Sequence, residues 1–344
     1  MHEPENRERP REGADASRTG SAETATAGAS ASGTVTVTKS GDAPSADAAV
    51  KALEGAGKAR SLWSDAWRDL RGNPLFMVSA GLILLLLVIA AFPGMFVSVG
   101  PREADLKTHF LTQPELGSFF SAEWLGYDAQ GRSVYARIIY GTRASILVGV
   151  SVTVIVAVLG GLIGMLAGYF GGWIDAVLSR ITDIFFGIPF LLGAMVVMNA
   201  FTERSVPVVI LAMAFLGWTQ MARVMRSSVL TVKEADYVTA ARALGASTQR
   251  ILFRHILPNA IAPLIVVATI ALGTYISLEA TLSYLGLGLA DPTISWGIDI
   301  SAAKDQLRTA KHVLLWPGAM LSVTIFAFIM LGDAVRDALD PKLR

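Results

Sequence analysis

The chain has 344 residues, of which 53% are hydrophobic and 17% are charged, and its net charge is +1. A soluble domain carries about a quarter charged residues. The low charge and the mean hydropathy of +0.51 therefore indicate a polytopic membrane protein. Such a small net charge gives no reason to expect a nucleic-acid partner. With no cysteine and four scattered histidines, the sequence predicts neither disulfides nor a metal site.

The first 60 residues contain no aromatic residue and few large aliphatic ones. Such a segment cannot bury enough apolar surface to offset its ordering entropy, and it lacks the apolar core and cleavage site of a signal peptide. We therefore predict a disordered cytoplasmic tail over 1–60. In residues 61–73, Trp63 and Trp67 share one face of a helical pattern and charged residues share the other. This pattern predicts an amphipathic helix at the membrane interface.

Six apolar segments follow, and they predict an all-α domain with six transmembrane helices over 74–344. Pro189 interrupts the third segment and Pro317 the sixth, which neighbouring helices can tolerate. In the second segment, small residues recur every four positions, a spacing typical of close helix packing. The predicted spans are Leu75–Phe92, Ala144–Gly168, Ile184–Ala200, Val206–Met221, Ala260–Leu278 and Val313–Leu331.

The segment 223–259, between the fourth and fifth spans, combines apolar periodicity with a high density of charge. The periodicity predicts a short helix up to Leu244, and Gly245 ends it because glycine accepts the left-handed conformation at a helix end. Ser247 is placed to cap a second short helix, which Pro258 closes. Connections between bundle helices are usually far shorter. The pattern therefore favours a docking or coupling element over a passive connector.

The run AARALGASTQRILFRHILP, from Ala240 to Pro258, resembles the EAA loop of permeases from binding-protein-dependent ATP-binding-cassette (ABC) importers. Thr239 stands where that pattern has its first glutamate, and His255 where an isoleucine is usual. A histidine at this place resembles the sequences of the dipeptide/oligopeptide branch of the family. Three further stretches resemble the C-type permease of that branch, namely 125–149, 282–297 and 331–344.

The resemblance implies a type I ABC importer permease fold in the bacterial cytoplasmic membrane, with both termini cytoplasmic. It also implies a homologous second permease subunit, two cytoplasmic ATPase subunits and an extracytoplasmic solute-binding protein. Since the chain has no phosphate-binding G-x-x-x-x-G-K-[ST] motif, we expect a non-catalytic subunit without a cofactor. The residues expected to couple it to the ATPase are Asp236, Tyr237, Ala240, Ala241, Arg242, Gly245, His255, Leu257 and Pro258.

Glu279 directly follows the fifth apolar segment, and the rise of a helix places it near the outer membrane interface. Ionisable residues in membrane spans often mark a transport pathway. Two interpretations therefore stay open for Glu279, a structural hydrogen-bonding role and a position on the translocation path.

The cargo implied by the resemblance is a di- or oligopeptide, and the alternative is nickel or another small solute. From another class, a secondary transporter driven by an ion gradient would show internal repeats and midplane carboxylates, which the sequence does not suggest. An intramembrane hydrolase would need a catalytic pair within the spans, and the sequence suggests none.

Overall fold

The computed structural model describes residues Leu62 to Leu339, and within that part of the chain it contains helices and no β-strand. The predicted tail over 1–60 lies outside the described residues. The helices are α1 (Leu62–Gly72), α2 (Pro74–Ala91), α3 (Leu106–His109), α4 (Val134–Phe170), α5 (Gly172–Phe186), α6 (Phe190–Asn199), α7 (Val206–Lys233), α8 (Asp236–Ala243), α9 (Thr248–Tyr284), α10 (Trp296–Ala303) and α11 (His312–Leu339).

Among the described residues, five helices are long and apolar enough to cross a membrane: α2, α4, α7, α9 and α11. The pair α5 and α6 passes the same test together, although the two helices are bent by 83° where they meet. With this pair counted as one broken span, the number of spans agrees with the six predicted apolar segments. We call the end of the bundle where α7 ends and α9 begins the inner end, and the opposite end the outer end.

The second span begins earlier than predicted, at Val134 and not at Ala144. The hydroxyl of Ser133 caps the helix by accepting a hydrogen bond from the N–H of Ala136 at 3.3 Å. With 37 residues, α4 is about 55 Å long, well beyond the ~30 Å of a bilayer core. The helix therefore extends past the membrane.

The amphipathic helix predicted over 61–73 is present as α1. Asn73 separates it from α2, and its side-chain oxygen accepts a hydrogen bond from the N–H of Leu75 at 2.9 Å. Pro74 occupies the first turn of α2, where the missing N–H costs nothing. The ring of Trp67 packs edge-on against Phe76, with centroids 6.4 Å apart. The location of α1 at a membrane surface stays a prediction.

Helices α4 and α7 pack closely along the glycine stripe that the sequence predicts as a packing feature. A Cβ atom added at Gly160 would lie 2.4 Å from the carbonyl oxygen of Trp218, and one at Gly164 would lie 2.3 Å from that of Ala222. Such short contacts leave no room for a side chain. The glycines therefore allow the two backbones to touch.

At the outer end, residues 285–303 fold back onto α4 and α9, and we call them the outer segment. Trp296 is fully buried, and its indole N–H donates to the carbonyl of Ile138 in α4 at 3.0 Å. A Cβ atom at Gly297 would lie 2.7 Å from the Cα of Ala280, so glycine permits the close contact with α9. The outer segment is thus part of the packed bundle.

Candidate functional site

The connection between the fourth and fifth spans is shorter than the predicted segment 223–259. Because α7 continues to Lys233, its first third is the inner end of a span. Because α9 begins at Thr248, its last third already belongs to the fifth span. Only residues 234–247 connect the two spans, and we call them the connector. Its helix, α8, is separated from α7 by two residues and from α9 by four.

Gly245 ends α8 as predicted, with a φ of +77°. Its N–H donates to the carbonyl of Arg242 at 3.0 Å, and the N–H of Ala246 donates to the carbonyl of Ala241 at 3.1 Å. This pair of hydrogen bonds is the Schellman motif, which requires the left-handed conformation at the residue after the helix. Any other residue at 245 would be strained, although its side chain would meet open space.

One side of α8 contacts the bundle. Val238 is fully buried and belongs to the same apolar cluster as Ile251, Leu252 and Ile256 of α9. The predicted cap Ser247 precedes α9, but its side chain makes no capping hydrogen bond. The connector is therefore held by a small apolar contact and by its own backbone hydrogen bonds.

The opposite side of α8 faces away from the bundle. Leu244 is 88% exposed, which is unusual for a large apolar side chain. It is not among the coupling residues predicted from the sequence. Partial burial raises the pKa of Tyr237 above its ordinary value. Of the predicted coupling residues in the connector, Ala241 is half-buried, and the exposed ones are Asp236, Tyr237, Ala240, Arg242 and Gly245.

The prediction that Pro258 closes a second short helix is wrong, because α9 runs through it without a break. Residues Ile251–Ile256 form a π turn just before the proline. A proline ring conflicts with the carbonyl four residues earlier, and the wider turn relieves that conflict. Pro258 is exposed, whereas His255 and Leu257 are half-buried. These three residues thus lie at the start of a span and not in the connector.

Polar contacts tie the inner ends of α4, α5 and α7 together. Arg226 of α7 donates from Nε and Nη2 to the two carboxylate oxygens of Asp175 in α5, at 2.6 and 2.7 Å. Lys233 donates to the carbonyl oxygens of Gly168 and Tyr169 at 3.1 and 3.2 Å. A cation is favourable at the C-terminal end of a helix, as Lys233 is for α4. Any movement of the inner end of α7 therefore acts on α4 and α5 as well.

Glu279 lies near the outer end of α9, as predicted, and it is fully buried. Its carboxylate accepts hydrogen bonds from the hydroxyls of Ser283 at 2.8 Å, Ser295 at 3.3 Å and Ser145 at 3.4 Å. These serines belong to α9, the outer segment and α4. One carboxylate thus joins three separate parts of the chain.

Each of the three serines also accepts a backbone N–H of the outer segment. Ser283 accepts from Leu289 at 3.0 Å, and Ser145 accepts from Trp296 at 3.3 Å. Ser295 accepts from Ile298 at 3.3 Å, which caps α10. These contacts are those expected of the hydrogen-bonding interpretation of Glu279. Its position on the translocation path stays a prediction.

A buried ion pair adds a second polar attachment of the outer segment. Arg137 of α4 donates from Nε to Oδ1 of Asp299 in α10 at 2.6 Å, and its Nη2 contacts the same oxygen. Burial raises the pKa of Asp299, and the charge of Arg137 opposes that rise. This pair is not among the residues predicted from the sequence. The sequence feature that indicates it is Arg137 itself, because an arginine within an apolar run needs a partner.

Comparisons with known proteins agree with this architecture. Residues 160–344 match the family model described as binding-protein-dependent transport system inner membrane component. Residues 61–114 match the N-terminal TM domain of oligopeptide transport permease C. The described helices define a polytopic membrane protein with an exposed connector at its inner end. The chain belongs to the family of binding-protein-dependent transport system inner membrane components.

Several curated relatives are similar over most of their length. The oligopeptide transport system permease protein OppC of Bacillus subtilis (strain 168) is 37% identical, over 88% of this chain and 96% of that protein. The glutathione transport system permease protein GsiD of Pectobacterium atrosepticum is 36% identical, over 83% of this chain and 93% of that protein. GsiD of Escherichia coli O157:H7 is 35% identical, over 83% of this chain and 92% of that protein.

One solved structure is similar at lower identity. The MetNI methionine ABC transporter in its inward-facing conformations is 20% identical, over 59% of this chain and 96% of that chain, with a TM-score of 0.49. The family matches confirm that the chain is a multi-pass inner-membrane permease, and its described residues have an all-α fold.

Proposed function

We propose that this chain is the subunit through which peptides cross the cytoplasmic membrane in an ABC importer. Relatives that match nearly their whole length are named for oligopeptide and glutathione transport, and glutathione is itself a tripeptide. A di- or oligopeptide cargo is therefore better supported than nickel or another small solute. The residues of the chain carry no phosphate-binding motif, so ATP hydrolysis belongs to partner subunits.

We infer the partners and the orientation from the same family. The chain pairs with a homologous second permease, two cytoplasmic ATPase subunits and an extracytoplasmic solute-binding protein. The connector then lies in the cytoplasm with both chain termini, and the outer segment faces the solute-binding protein. An even number of spans, with α5 and α6 as one, is consistent with this orientation.

The observation that best supports coupling is the way the connector is built. Its exposed side presents Asp236, Tyr237, Arg242 and Leu244, and its two ends continue directly into α7 and α9. A partner that binds this exposed side can displace α8 as a unit, because α8 is short and rests on one buried side chain. The displacement then reaches two spans without passing through a flexible loop.

The inner-end contacts explain how the movement spreads. The pair Arg226–Asp175 ties α7 to α5, and Lys233 ties α7 to α4. Closure of the ATPases would move the connector, and these ties would carry α4 and α5 with α7. Alternating access follows if the two nucleotide states of the ATPases favour different arrangements of the spans.

The test compares two glycines that share a positive φ at opposite ends of α9. Gly245 has a φ of +77° and Gly286 a φ of +75°, and a Cβ atom at either would meet open space. Valine should therefore be equally strained at both positions. We expect Gly245→Val to lower ATP-dependent tripeptide uptake at least tenfold in proteoliposomes that contain the complete complex. We expect Gly286→Val to retain at least half of the uptake.

ATP hydrolysis and complex assembly are measured in the same samples. Equal uptake by both variants, with equal assembly, would show that the connector does not couple transport to the ATPases. If the unmodified complex imports another solute but no peptide, the peptide assignment is refuted and the coupling assignment still stands.

A further inference from the structure

The junction of α5 and α6 leaves backbone groups without helical partners. The two helices meet at residues 187–189 with the bend of 83°. The first N–H groups of any helix lack partners within the helix, and Pro189, which precedes α6, provides no side-chain cap for them. Non-helical backbone at membrane depth is tolerated only where protein covers it or where it lines a water-filled cavity.

The bend packs against the middle part of α7. Phe185, just before the bend, packs against the ring of Trp218 in α7, with centroids 5.5 Å apart. Trp218 lies near the middle of the 28 residues of α7, about 20 Å from either end of that helix. The bend therefore lies inside the bundle, a few residues from the exposed ion pair Arg223–Asp183, which is on its inner side.

A cavity of about 450 Å³ opens beside the bend, between α7 and α9. Its walls are mostly aromatic and aliphatic, and Gln220 and Thr274 provide exposed polar groups. Within residues 62–339 neither of these two side chains has a hydrogen-bond partner. The hydroxyl of Tyr275, the one titratable group on this wall, is already bonded to the carbonyl of Gly217 at 3.1 Å.

A neighbouring face of α9 differs. A second cavity, of about 280 Å³, lies there between α4 and α9, and its lining consists of aliphatic, aromatic, methionine and glycine residues. Ala268 lines this second cavity, whereas Thr274 lines the first. A face without polar groups suits lipid tails, and a face with unpaired polar groups suits water or a polar ligand.

We propose that the cavity beside the bend is the contact site of this subunit for the peptide in transit, and that it binds the peptide main chain. The amide of Gln220, the hydroxyl of Thr274 and the free N–H groups of α6 supply the donors and acceptors that main-chain amides need. Because the wall carries no charged side chain, it accepts peptides of any side-chain charge. This inference rests on the proposed function.

The experiment uses the natural absence of cysteine from the chain. Thr274→Cys and Gln220→Cys are each incorporated into the complete complex in proteoliposomes, and Ala268→Cys serves as the control on the other face of α9. We expect a charged, membrane-impermeant thiol reagent to modify the first two variants and to leave the control unmodified. A neutral tripeptide, added with ATP and the solute-binding protein, should slow the modification at least threefold.

Transport is then tested with a bulky side chain at the same positions. Thr274→Trp should lower uptake of the tripeptide at least tenfold while ATP hydrolysis stays within twofold, and Ala268→Trp should transport within twofold of the unmodified complex. Unreactive thiols at both positions in all nucleotide states would overturn the proposal, since another subunit would then fill the cavity. Normal uptake by Thr274→Trp would overturn it too. Failure of the unmodified complex to import peptide would instead refute the proposed function.

Discussion

The connector (234–247) and the outer segment (285–303) lie at opposite ends of α9 and are attached to the bundle in contrasting ways. The connector rests on Val238 and has its polar side chains exposed. The outer segment is fixed by Glu279, by the pair Arg137–Asp299 and by the buried ring of Trp296. An element with few buried contacts can move as a unit at low cost, whereas one fixed by buried polar groups cannot.

This difference assigns different tasks to the two ends. In the proposed function, the inner end presents a movable surface to the partners that hydrolyse ATP. The outer end keeps its geometry, because a displacement would leave a buried carboxylate and several serine hydroxyls without partners. We therefore expect substitutions at the outer end to lower stability first. Substitutions in the connector should instead lower transport with little loss of stability.

The largest expected effect on stability is at the buried ion pair. Arg137→Ala leaves the carboxylate of Asp299 buried without a cation, and breaking a buried pair in this way costs about 3–5 kcal/mol. We expect a large fall in the thermal unfolding midpoint of the purified protein. The double variant Arg137→Leu, Asp299→Leu should recover most of the loss, because neither charge remains. A double variant as unstable as the single one would show that the pair has another role.

The next effect is expected at Glu279. Glu279→Ala removes the acceptor of three serine hydroxyls, and each unmade buried hydrogen bond costs about 1–3 kcal/mol. Glu279→Gln keeps one carbonyl acceptor and the shape of the side chain, so it should lose less than half as much stability as the alanine variant. Unfolding is monitored by the midpoint in a denaturant series. If alanine and glutamine are equally stable, the serine contacts do not hold the outer segment.

A smaller effect on stability is expected in the connector. Val238→Ala removes two buried carbon groups, and at ~0.8 kcal/mol per group this should lower the free energy of unfolding by about 1.5 kcal/mol. Transport should suffer more than stability, because α8 would no longer move together with α9. The measurement is the ratio of peptide imported to ATP hydrolysed, which we expect to fall severalfold. Val229, equally buried in α7, is the control, since Val229→Ala removes the same atoms away from the connector.

Much of the fold could be predicted because its signals are local. Long apolar runs predict the spans, and Gly245 predicts the end of α8 because a left-handed residue is required there. Pro189 predicts an interruption, but the size of the bend depends on packing against α7, which no local pattern contains. Similarly, Pro258 looks like a helix end until the preceding π turn is known.

Less of the site could be predicted, because its contacts are distant in sequence. Glu279 lies in a recognisable position, but two of its serine partners are in α4 and in the outer segment. The early start of α4 at Val134 could not be predicted for the same reason, because it depends on a contact distant in sequence. Arg137 would disfavour a buried helix there, and its partner lies in α10. The exposure of Leu244 is a property of the folded connector alone.

The proposed contact between the connector and an ATPase subunit can be tested by cross-linking from single cysteines. Leu244→Cys places the one thiol of the chain on the connector, and Asp291→Cys places it on the exposed part of the outer segment. Each is labelled with a photoactivatable thiol-specific cross-linker in the assembled complex. We expect Leu244→Cys to link to an ATPase subunit and Asp291→Cys not to do so. Linkage of Leu244→Cys only to the solute-binding protein, or only to lipid, would contradict it.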